Sequence, residues 1–154
     1  MKKFYSVICL SLVLAFTACI DQDYPVWTGA DIEFQDAVVR APVAGQTFPR
    51  ISVANTVGEV NLQVNLVAAH RANDEVIAYR VVEDLTTAVA GTDYNTSGNF
   101  TIPANTSFGS VNVQVLNTGA IGGFVDLTLE LVGNENLPPA ENYKRVQIRI
   151  TRPS

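Results

Sequence analysis

From residue 30 onward, hydrophobic and polar residues alternate with a period of two, in runs separated by turn-forming residues. Glu59-Val60-Asn61-Leu62-Gln63-Val64-Asn65-Leu66 places four aliphatic side chains on one face and polar ones on the other, the pattern of a half-buried strand. Residues 110–115, 124–131 and 145–150 repeat it, and shorter runs at 32–39, 48–53, 76–82 and 99–102 follow it less regularly. Between them lie Ala41-Pro42, Ala72-Asn73-Asp74, Gly91-Thr92-Asp93, Pro103-Ala104-Asn105, the glycine-rich stretch 119–123 and the stretch 134–139. No helical apolar stripe of useful length, internal repeat or low-complexity segment interrupts the series. The pattern predicts an all-β domain: a single antiparallel β-sandwich of seven to eight strands, each with one wet and one dry face, with a closed barrel as the alternative.

The first residues break this pattern. Met1-Lys2-Lys3 precedes an apolar run from Phe4 to Phe16. Thirteen helical residues at ~1.5 Å each span roughly 20 Å, short of the ~30 Å hydrocarbon core, so the run reads as a signal-peptide segment rather than a permanent anchor. It ends in Ala15-Phe16-Thr17-Ala18-Cys19, which resembles the processing site of bacterial lipoprotein precursors, with Phe16 where an aliphatic residue is usual. The resemblance implies lipidation of Cys19 after removal of residues 1–18, with residues 19–30 as a tether and 31–154 as the sandwich. Ordinary signal cleavage, leaving Cys19 a free thiol, is the alternative. The following Ile20-Asp21-Gln22-Asp23 resembles the acidic export signals of Bacteroidota surface lipoproteins, and reads equally as a solvated tether.

Composition sharpens this reading. The 154 residues suit one domain with a real core. The net charge of −5 excludes the broad basic surface of a nucleic-acid binder. Loss of residues 1–18 removes Lys2, Lys3 and Cys9, leaving 8 basic against 15 acidic side chains on 136 residues. At −7 such a surface gains nothing from anionic headgroups. The membrane is therefore expected to be a partner through the N-terminal acyl chains alone, at ~0.8 kcal/mol per buried CH₂. The expected location is the outer membrane, on its periplasmic or cell-surface side.

Within the sandwich, Thr86-Thr87-Ala88-Val89-Ala90-Gly91-Thr92-Asp93-Tyr94, then Gly98-Asn99-Phe100-Thr101-Ile102-Pro103-Ala104, then a valine-rich strand, resembles a Calx-beta repeat. With the closing Asn142-Tyr143-Lys144-Arg145-Val146 strand, the chain is similar to lipoproteins of unknown function with a Calx-beta-like or immunoglobulin-like domain. The hallmark Cys…Trp…Cys spacing of true immunoglobulin domains is absent. Calcium-binding members of the Calx-beta group imply two metal candidates here, Asp93 and Glu59. The acidic pair such members carry further on is replaced by Asn117-Thr118-Gly119-Ala120-Ile121-Gly122-Gly123. Calcium takes six to eight oxygens from converging carboxylates, so no metal and no cofactor is expected, and Asp93 reads as a turn residue bonding nearby N–H groups.

Catalytic constellations are equally thin, and the chain is read as not an enzyme. His70 is the only histidine, sits before a turn, and has no G-x-S-x-G elbow to join. Asp74-Glu75 and Glu83-Asp84 are adjacent acids whose side chains leave a strand on opposite faces, so neither pair flanks one glycosidic bond. Three Asn-x-Ser/Thr sequons, at Asn95, Asn99 and Asn105, read as polar turn composition.

What remains is surface. Asn61, Gln63, Asn65, Asn112 and Gln114 form an outward row of nearly uncharged amides, suited to sugars or peptide backbone and equally to plain solvation. Trp27, together with Tyr24, lies in the tether, and Tyr143 follows the loop 134–142; Trp27 and Tyr143 are the candidate binding aromatics, with packing of the strap onto the sandwich as the other role for Trp27. The expected function is a non-catalytic binding or assembly module of the cell envelope, taking a glycan or a partner protein beside an outer-membrane complex. The alternatives are a structural or adhesion subunit that pairs through sheet edges and, less in keeping with the residues, a small hydrolase.

Overall fold

The alternation in residues 59–66 becomes a nine-residue strand that buries Val60, Leu62, Val64 and Leu66 and faces its amides outward, and this strand organises the first of two sheets. The computed structural model describes residues 28–153. Cys19, Trp27 and Tyr24, and the proposed signal and most of the tether, lie outside the described residues.

Nine strands follow in order: β1 (Asp31–Phe34), β2 (Arg50–Ala54), β3 (Glu59–Val67), β4 (Glu75–Val81), β5 (Tyr94–Thr96), β6 (Asn99–Ile102), β7 (Phe108–Val115), β8 (Phe124–Gly133) and β9 (Arg145–Thr151). One sheet runs β1-β3-β7-β5 and the other β2-β9-β8-β4-β6. Every pairing is antiparallel except β2 with β9, which is parallel. The facing sides meet in a core of Phe34, Leu62, Val64, Ile77, Val111, Val113, Leu127, Leu129, Ile148 and Ile150, each at most 1% exposed. At roughly 1.5–3 kcal/mol per fully buried aliphatic or aromatic side chain, this core is the main term holding the sheets together.

Three features depart from the sequence reading. Residues 32–39 do not form one strand: β1 ends at Phe34 and a short helix, α1 (Gln35–Val39), follows. Period two fails there because Ala37 is the buried residue of the turn, while Val38 and Val39 are exposed. Arg40 closes the helix by donating its N–H to the Asp36 carbonyl and pairing with the Asp36 carboxylate. Residues 94–96, where the pattern predicts no strand, form β5, too short and polar to register as alternation.

The second sheet's outer face is also not simply wet. Thr128 and Gln147 are buried on it because residues 83–87, including a 3₁₀ turn (Glu83–Leu85), arch over them, and Glu130 is buried on it between Arg80 and Arg145. Thr128 Oγ1 donates to the Leu85 carbonyl (2.8 Å) and Gln147 Nε2 to Thr128 Oγ1 (3.0 Å).

Sheet edges are treated unequally. The free side of β1 is covered by residues 138–143: Ile32 N–H donates to Pro138 O, and Phe34 N–H to Tyr143 O, both at 3.0 Å. On the far side, β6 leans against β7 across Gly109, where an added Cβ would lie 2.6 Å from the Thr101 carbonyl and 2.9 Å from the Phe100 ring. The outer edge of β2 carries no neighbouring strand among the described residues, and Ser52 at its centre is exposed.

Candidate functional site

The outward residues of β3 and β7 lie side by side because the register pairs Asn61 with Asn112, Gln63 with Ser110 and Asn65 with Phe108. They form a linked amide surface. Asn112 Nδ2 donates to Asn61 Oδ1 (3.1 Å), whose own Nδ2 donates to Glu59 Oε1 (2.7 Å). Gln63 Nε2 donates to Asn65 Oδ1 (2.9 Å), and Asn65 Nδ2 to Gln35 Oε1 (2.6 Å). On the third strand, Asn95 Nδ2 donates to Gln114 Oε1 (2.9 Å). Each amide has two N–H donors and a two-lone-pair acceptor, so these bonds fix the side chains and leave capacity for an outside partner. The charged residues Glu59 and Glu33 stand only at the two ends of the row.

Beside Asn61, Gln63 and Ser110 the surface dips into a depression of about 510 Å³, bounded across the sheet corner by Thr101 and Pro103. Its aromatic wall is Phe108, 56% exposed. Sequence reading missed this ring by starting the strand at residue 110. The signal was parity: Phe108 shares phase with Ser110, Asn112 and Gln114, so its side chain leaves the sheet on the same outer face.

The metal candidates are separated and already engaged. Glu59 faces outward on β3, whereas Asp93 is buried just before β5, two strands away. Asp93 accepts a hydrogen bond from the Val89 N–H (2.9 Å) and one from Arg152 Nη2 (2.7 Å). The turn role expected of Asp93 is thus accompanied by an ion pair with a guanidinium from the far end of the chain. Gly119 makes room for that guanidinium: its backbone is left-handed (φ +87°), and a Cβ there would sit 2.2 Å from Arg152 Cζ. Among the described residues no group of three or more His, Cys, Asp or Glu converges as a metal site would require.

His70 is brought beside a serine after all, its Nε2 lying 2.8 Å from Ser107 Oγ. Both residues are exposed, and no carboxylate orients the ring through its other nitrogen among the described residues, so the pair lacks the third member that activates a serine. The adjacent acids also diverge, Asp74 accepting from the Ala104 N–H and Glu75 from Asn134 Nδ2.

The second sheet's outer face carries a row of ion pairs. Glu130 binds Arg80 Nη2 (2.6 Å) and also Arg145; Asp126 binds Arg149 through two bonds of 2.8 Å. The Arg149 guanidinium lies 3.8 Å over the Phe124 ring. Burial pushes the Glu130 carboxyl up, but the hydrogen bonds and charges of Arg80 and Arg145 outweigh it and hold the group below the usual carboxylate range. Tyr143, 40% exposed, lines a separate trough between α1 and the start of β9, away from the amide face.

No protein-family model matches the chain, and no curated protein matches it. Solved structures do. The apo-form CBD1 domain of Calx superposes with a TM-score of 0.59 at 15% identity, covering 79% of this chain and 96% of that one. The Calx CBD2 domain gives 0.56 at 14% identity, covering 82% and 92%. A "putative carbohydrate binding protein" from Bacteroides ovatus gives 0.55 at 8% identity, covering 80% of this chain and 37% of that larger one. At these identities the likeness is one of fold, and the fold is a single Calx-beta-like β-sandwich.

Proposed function

We propose that the chain is a non-catalytic binding module of the bacterial cell envelope, anchored by lipid on Cys19, whose amide face takes a neutral glycan against Phe108. The observation that carries the reading is the uncharged, hydrogen-bonded amide row beside an exposed aromatic ring and a depression of about 510 Å³. Sugars present hydroxyls that both donate and accept, matching amide side chains, and C–H faces that match an aromatic ring. One of the fold neighbours named above is described as a putative carbohydrate binding protein, which is in keeping with this reading. Calcium binding is the poorer reading, because the buried carboxylate of Asp93 is matched by Arg152.

Affinity electrophoresis through gels containing neutral polysaccharides tests the site. Retention on at least one is expected, and Phe108→Ala or Gln63→Ala should weaken it by about tenfold or more, equivalent to ~1.4 kcal/mol. Absence of retention on every neutral polymer, or retention indifferent to both substitutions, overturns it. The anchor has its own readout. Cys19→Ser should abolish fatty-acid labelling and release the protein from membranes; unchanged membrane retention refutes lipidation.

A further inference from the structure

The trough that holds Tyr143 differs in chemistry from the amide face. It runs between α1 and residues 141–145, encloses about 790 Å³ and falls within the ~300–1,000 Å³ of ordinary ligand sites. Arg40, Lys144 and Arg145 all line it, paired with Asp36, Glu141 and Glu130, and of these acids Glu141 is the one in the lining.

The donors are poised rather than exhausted. Arg40 engages Asp36, and Arg145 engages Glu130, each through Nε. Their terminal guanidinium nitrogens have no hydrogen-bond partner among the described residues. A guanidinium edge of this kind recognises a planar carboxylate through parallel N–H···O bonds. Gln46 also lines the trough, and its Oε1 is buried with no hydrogen-bond partner among the described residues. That oxygen is closed to solvent, so the amide's Nε2 is the group that can face a ligand, donating to a hydroxyl oxygen. Tyr143 adds an exposed ring.

We propose that this trough is a second binding site, for a carboxylate-bearing saccharide: carboxylate to Arg40 and Arg145, hydroxyl to Gln46, and sugar face to Tyr143. It is independent of the neutral-glycan reading, because it uses other residues and other ligand chemistry.

The test uses the full chain in affinity electrophoresis with three probes: polygalacturonate, the same polymer methyl-esterified, and dextran sulfate. Polygalacturonate should retard the protein, esterification should abolish the effect, and dextran sulfate at matched charge should not reproduce it. Tyr143→Ala and Arg40→Gln should each weaken retardation by about fivefold or more, Tyr143→Phe should retain it, and Phe108→Ala should leave it unchanged. Circular dichroism of each variant separates loss of the site from loss of the fold; should Tyr143→Ala not fold, the exposed Arg40→Gln carries the test. Equal retardation by dextran sulfate would reduce the trough to charge alone. Retardation that survives esterification, or none with polygalacturonate, equally overturns the proposal.

Discussion

Glu130 is a buried carboxylate held between two arginines, and its charge is part of the fold's stability. Its folded pKa lies below the ordinary value of 4.5, so its contribution is fully present above the unfolded value and is lost as pH falls through the lower folded one. Glu130→Gln should therefore cost about 1–3 kcal/mol at neutral pH in urea unfolding, and the gap to the parent should close as pH falls from 5 towards 3. A gap constant across that range would show that packing, not charge, sets the cost. At this scale the sequence was legible only where partners are near in the chain. Asp93 was readable as a turn residue because Val89 is four positions away, but Arg152, its charge partner, is 59 away and carries no local signature. Phe108 was legible by parity alone, and its reach over the depression was not, because Thr101 and Pro103 arrive from another sheet.

Elements with long alternation were readable from sequence: β3, β7, β8 and β9 lie where the pattern placed them. The misread stretches are those where neighbours override local pattern. Residues 35–39 turn helical, and β5 exists because β7 offers a pairing edge to three residues with no alternation of their own. The contact of β6 with β7 depends on one missing side chain. Gly109→Ala would drive a methyl group into the Thr101 carbonyl, a backbone atom with little freedom to retreat. The expected loss is about 1–3 kcal/mol in denaturant unfolding, and the depression beside Gly109 should open as the strands separate, weakening any neutral glycan bound there. Unchanged stability would mean that the two strands part without cost.

The molecule as a whole is the Calx-beta-like sandwich that the turn spacing and the motif around Asp93 predicted, with nine strands instead of seven or eight and one parallel pair among antiparallel ones. That parallel pair was not legible, since nothing local in residues 50–54 says that their partner is the strand nearest the other terminus. Removing residues 145–154 should leave a chain with no cooperative unfolding transition, because Val146, Ile148 and Ile150 leave the core and β2 and β8 lose the strand between them. A cooperative transition in the truncated chain would refute this.

The place of β9 in the sheet also sets a timetable. It is the last of these nine strands to be synthesised, and it must be threaded between one strand made about a hundred residues earlier and another made just before it. Until then the second sheet has no centre, and the growing chain has no finished core to lock. The order of its strands thereby keeps the chain pliable until β9 has been made.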